Sequence, residues 1–207
     1  MKKKKISKRL EKAAKARQMC RIFTAGDSEE ASRFLPLAIS EELVYMIKDG
    51  DPEAYGYSVR SLDVIEKVKI EKEEEAPAEM AEKHASAAPE LDIADWPSVF
   101  RSLGKYGRVI IVESEKLAKK DERYAVGKIE KIGRRQVTIH YYGPDTVWEN
   151  KRWKVPYEHI TWVTADSRYT EVLNQYVPEA DRAAAAQIDR EEADAGEPEI
   201  SAGPKEA

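Results

Sequence analysis

The stretch from residue 71 to 95 most limits what this chain can build. It is rich in Glu, Ala and Pro, with nine acids, two bases and no aromatic residue. Such a segment cannot bury enough apolar surface to offset the entropy of ordering it, so it is expected to lack fixed tertiary contacts. It divides the apolar residues into two sets. With 207 residues, 36% of them charged, and a mean hydropathy of −0.66, each set can fill a modest core, but no core spans the chain. The expected organisation is a basic arm or helix (1–21), a small β module (33–70), an acidic linker (71–95), a second β module (96–177) and an acidic tail (178–207).

The net charge of −4 conceals these blocks. Residues 1–21 hold ten Lys or Arg against one acid, Glu11. Ile6, Leu10 and Ala13 or Ala14 recur at helical spacing, but the stripe is thin and reads as a solvated, partly frayed helix. It lacks the Trp, Phe or several Leu that a membrane-surface helix uses, so no membrane partner is expected. No apolar run approaches the roughly 18 residues of a membrane span, and Met1-Lys2-Lys3-Lys4-Lys5 leads into no apolar signal core. With Cys20 as the single cysteine, a reducing, cytoplasmic setting fits.

Strand signals fill both modules. In the first, Phe34 to Ile39 and Glu42 to Ile47 are short apolar runs. Asp49-Gly50-Asp51-Pro52 is a turn signal, Tyr55, Tyr57 and Val59 alternate, and Val64, Ile65, Val68 and Ile70 supply a last strand. In the second, Asp95 caps a helix over 97–103, with Pro97 in its first turn. Five strands are expected between Arg108 and Thr164: Arg108 to Glu113, Tyr124 to Ile132 with a bend near Gly127, Gln136 to Tyr142 after a tight turn at Gly133-Arg134, Trp153 to Val155, and Ile160 to Thr164. The fold class is mainly β: a small, closed or nearly closed barrel with an N-terminal helix, a smaller related β module and disordered charged arms.

The helix, Val109-Ile110-Ile111-Val112, Tyr124 to Ile129 and Trp153-Lys154-Val155-Pro156-Tyr157-Glu158-His159-Ile160-Thr161 resemble the bacterial Sm-like, or SH3-like, small-barrel pattern. Trp148 through Tyr176, with Arg168-Tyr169, is similar to two-module bacterial proteins of this type. The resemblance covers about 80 residues of the second module and, more faintly, 35–70. It implies self-association through barrel edges. Val59 to Val68 also aligns with Val155 to Val163 across one gap, each a Val strand, a short turn with an acid and an Ile-x-x-Val strand.

No motif for catalysis or metal binding emerges. His84, His140, His159 and Cys20 have no ligand spacing. There is no Gly-x-Ser-x-Gly elbow and no Gly-rich phosphate loop, and many carboxylates fall in the linker and tail. The bases around Cys20 favour its thiolate, yet the simpler reading is an incidental thiol. The expectation is a non-enzymatic binding protein without a cofactor. Its best-supported ligand is RNA or another single-stranded nucleic acid, held by bases at Lys3, Lys4, Lys5, Lys8, Arg9, Lys119, Lys120, Arg134, Arg135, Lys151 and Arg152, with Trp148 as a stacking residue. Trp153, Trp162 and Tyr141 alternate as core residues do. The alternative is an oligomerising adaptor for protein partners.

Overall fold

Helix α1 (Lys2–Lys15) opens the fold, and its thin apolar stripe is enough to dock it. Ile6, Leu10 and Ala13 are buried in a core with Cys20, Ile22, Phe34, Val44, Met46, Leu62, Ile65 and Val68. The expected frayed arm is therefore a packed element; three residues on one face suffice because a sheet is there to receive them. A computed structural model of the chain describes residues 2–24, 32–48, 56–71, 85–86, 88–105, 107–114, 124–143 and 148–175. The turn signal at 49–52, most of the acidic linker and the tail lie outside them.

The strands that follow are β1 (Cys20–Thr24), β2 (Arg33–Ile39), β3 (Leu43–Lys48), β4 (Tyr57–Ser61) and β5 (Ile65–Ile70). A 3-10 turn at Leu62–Val64 separates β4 from β5. The second half repeats the plan: α2 (Trp96–Gly104), β6 (Ile110–Glu113), β7 (Tyr124–Ile132), β8 (Gln136–Tyr142), β9 (Trp148–Pro156), a 3-10 turn at Tyr157–His159, and β10 (Trp162–Ala165). A short helix α3 (Arg168–Asn174) closes the described chain. The five strands expected after Arg108 are all present, and Asp95 caps α2 by accepting the Ser98 N–H at 2.8 Å.

Each half winds its fifth strand back onto its first, β5 on β1 and β10 on β6. A one-residue bulge falls at equivalent points, Leu37 in β2 and Glu130 in β7. Hairpin β2–β3 is thus the counterpart of the bent hairpin β7–β8. The bend of β7 lies at its bulge and not at Gly127. A Cβ at Gly127 would collide with the backbone of His140 and Tyr141, so glycine here serves close strand approach.

Closed barrels are not what the pairing yields. All ten strands form one antiparallel sheet in the order β5-β1-β2-β3-β4-β10-β6-β7-β8-β9, with no pairing that closes it. The reason is that β4, paired with β3 on one side, takes β10 of the other half on its second side, Val59 opposite Val163. Ser58 and Thr164 hydroxyls meet at 3.2 Å within that junction. The guanidinium of Arg60, 4% exposed, lies 4.0 Å from the centre of the Trp162 ring, which makes an edge-type contact with Phe34. Gly56, with φ of 64°, brings its Cα against the backbone of Ala165 to Ser167.

The acidic stretch contributes at both ends. Glu71 clasps Arg21 and Arg33 at 2.7 and 2.6 Å, and its N–H reaches the Met19 carbonyl. Ile93 is buried with Leu43, Tyr45 and Val59, and Ala88 and Leu91 pack on the same cluster. The Tyr45 hydroxyl donates to the Pro89 carbonyl at 3.1 Å. Residues 88–95 are therefore part of the core between the two halves, because Leu91 and Ile93 find an apolar sheet face that composition alone does not reveal.

Two substitutions test this packing by urea denaturation. Leu10→Ala is expected to cost about 2–5 kcal/mol, whereas a frayed arm would lose nothing. Gly56→Ala should cost at least about 1–3 kcal/mol from backbone strain. Gly104→Ala, which meets only Ile132 at 3.9 Å, should be neutral or stabilise by up to about 1 kcal/mol.

Candidate nucleic-acid interface

Docking α1 by its apolar stripe turns its bases outward. Lys4, Lys5, Lys8, Arg9, Lys12 and Lys15 are exposed. Lys4, Lys8, Lys12 and Lys15 follow one another along the helix at intervals of three or four residues, each about 6 Å or less from the next. Lys3 is drawn aside to Asp63 at 3.0 Å, and Arg9 donates to the Val68 carbonyl of β5 at 2.8 Å. The helix packs on β5 over Val68; Lys67 and Lys69, which alternate with Val68, are exposed on the other face of the strand and lie 5.2 and 5.3 Å from the half-buried Phe23 ring. Phe23 carries no site signal in the sequence, because nothing in the local pattern marks β1 as a strand.

The other expected bases sit at the far edge of the strand order. Arg134 and Arg135 form the exposed tip of hairpin β7–β8. That tip is pinned from below: the Tyr157 hydroxyl donates to the Gly133 carbonyl at 2.8 Å and the Tyr157 N–H to the Arg135 carbonyl. Burial pushes the Tyr157 phenol up to about 12, so it stays a donor throughout the ordinary pH range. Lys151 and Lys154 are exposed on edge strand β9, while Arg152 is paired with Glu130. Lys119 and Lys120 lie outside the described residues. The candidates thus fall into two groups, those on α1 and those at the β7–β8 tip with β9, rather than one site.

Trp148 is half-buried and stacks on Tyr142 at 4.0 Å, with His140 at 4.4 Å. It packs with Val109, Val126 and Leu173, and its role here is packing. His140 Nε2 meets the Glu149 carbonyl at 3.1 Å. Trp153 and Tyr141 pack on the second core, and Trp162 packs on the first, as their alternation suggests.

Cys20 is fully buried in β1. Burial first, and the Glu71 carboxylate second, push its thiol from 9.0 up to about 12, the reverse of the shift that the flanking bases suggest. Among the described residues no group of three or more His, Cys, Asp or Glu could hold a metal ion, and no helix is long and apolar enough to cross a membrane. A groove of about 310 Å³ at the junction is lined by Glu42, Asp63, Asp95 and Glu158, an acidic set that repels phosphate. Comparison with protein-family models, with curated proteins and with solved structures gives no match.

Trp148→Ala is expected to lower stability by about 1–3 kcal/mol in a denaturant titration. Cys20 should resist a thiol-reactive disulfide reagent below pH 9 in the folded protein and react at once in denaturant. Above 9.0 the unfolded thiol ionises while the folded one holds its proton to about 12. This group's contribution to stability is therefore complete below pH 9 and lost as pH rises toward 12. Cys20→Ala should remove that part of the alkaline slope.

Proposed function

We propose that the chain is a non-enzymatic binding protein for RNA or another single-stranded nucleic acid, built from two linked modules of the Sm-like or SH3-like small-barrel kind. The shared plan of the halves supports the module reading: helix, four strands, a 3-10 turn and a fifth strand returned to the first. One observation carries the binding reading. Burial of Ile6, Leu10 and Ala13 fixes α1, so Lys4, Lys8, Lys12 and Lys15 form a preset cationic row on its exposed side. Phosphates meeting such a row release counterions without first ordering a floppy arm.

Pairing of copies through the terminal strands is the weaker reading. Both edges are basic, with Lys67 and Lys69 on β5 and Lys151, Arg152 and Lys154 on β9. Like charges would face one another in a symmetric ladder centred on Val68, where Lys67 meets Lys69. Arg9 already occupies one backbone acceptor of β5.

Because α1 belongs to the core, the test uses charge replacement and leaves the helix in place. Lys4, Lys8, Lys12 and Lys15 are changed to Gln together, and binding of a fluorescein-labelled oligouridine is followed by anisotropy across a salt series. The parent chain should bind at low salt. For every phosphate that the variant no longer neutralises, the log–log salt slope should flatten by about 0.7. Equal slopes for parent and variant would move the interface off α1, and no binding by the parent at low salt would remove the nucleic-acid reading.

A further inference from the structure

The large apolar side chains left exposed among the described residues are Tyr124 and Tyr169, each 52% exposed, and Val172, 46% exposed. Tyr124 and Tyr169 share one place in the fold. Tyr124 and Val126 alternate onto the same face of β7, and Val126 packs with Leu173 of α3. Tyr169 lies one turn before Leu173, which sets it along the same flank of α3 as the β7 contact. The two phenols feel each other: burial raises the Tyr124 pKa first, and Tyr169 is the next cause.

The platform is rigid. Leu173 is buried with Val109 and Val126. The Tyr142 hydroxyl donates to the Leu173 carbonyl at 3.2 Å, and the Val109 N–H donates to Asn174 Oδ1 at 2.7 Å. Ser167 caps the helix by accepting the Thr170 N–H. The other aromatic rings on this side of the sheet are engaged, Trp148 and Tyr142 with each other.

We propose that Tyr124 and Tyr169 form a stacking platform for unpaired bases of single-stranded nucleic acid. This rests on the nucleic-acid reading above and places its aromatic contacts away from Trp148. Two rings with wet hydroxyls suit bases better than a lipid surface, which favours Phe, Trp and Leu. Arg168, which precedes Tyr169 on α3, is exposed, while Glu113 opposite Tyr124 and Glu171 on α3 keep the rim from being a general polyanion surface. Stacking on exposed rings is tolerant of base identity and requires that the base be unpaired.

The experiment compares the full chain with Tyr124→Ala/Tyr169→Ala and Tyr124→Phe/Tyr169→Phe, using the same labelled oligouridine alone and annealed to its complement. Equal melting temperatures establish that the exposed positions leave the fold intact. The Ala pair should weaken single-strand binding about tenfold or more. The Phe pair should retain parental affinity. All three should share one salt slope, because every phosphate partner is retained. On the duplex the three should bind alike. If the parent binds and the Ala pair binds equally well, the platform is overturned while the nucleic-acid reading stands, and the patch is left to a protein partner. If the parent binds no oligonucleotide, both fall together. If Phe and Ala lose affinity equally, the hydroxyls rather than the ring faces act, and stacking is overturned.

Discussion

The antiparallel pairing of β4 with β10 is the contact on which the rest of the structure depends. Without it each half would present an unpaired strand edge to water. With it ten strands share one ladder, and among the described residues the edges left over are β5 and β9. Side chains make the junction specific. Arg60 brings a buried cation that the Trp162 ring and polar neighbours such as Thr24 offset. Gly56 permits a backbone approach that any side chain would block. Leu43, Tyr45 and Val59, which an isolated first half would expose, are covered by Ile93, Leu91 and Ala88. The segment between the halves therefore packs against them at its C-terminal end and is tied down at Glu71 at its start.

Local patterns were legible where one element's own periodicity decides its structure. Asp95 and Pro97 announced α2, Gly133-Arg134 the hairpin, and alternation in Gln136 to Tyr142 a strand. The repeat around the two 3-10 turns was legible too: Ile65 to Val68 and Ile160 to Val163 match without a gap from the turn onward. What escaped had non-local causes. β1 follows the basic helix through Arg17, a left-handed residue of φ 50° without the usual Gly or Asn signal. The open sheet depends on strands far apart in sequence, and no periodicity records which edge meets which. The bend attributed to Gly127 arises at Glu130, since a glycine in a strand is equally the mark of a close neighbour.

The candidate site was half legible for a related reason. Charge counts located the bases of α1, and the apolar stripe that orients them was visible, while the sheet that receives it was not. Aromatic residues were harder. Trp148, beside a Gly-Pro turn signal, has the look of a loop residue, yet its ring is taken up by Tyr142 and His140. Tyr124 and Tyr169 gave no sign in sequence, since exposure at a strand start and on a short helix follows from how α3 lies on β7.

Hydrogen–deuterium exchange of the β4 and β10 amides, read beside a urea titration followed by tryptophan fluorescence, tests the junction most directly. One continuous ladder requires that both strands be protected together and lose protection in the same single transition that exposes the two cores. Rapid exchange in β10 while β6 to β9 stay protected, or two separate urea transitions, would contradict it and leave two independent modules.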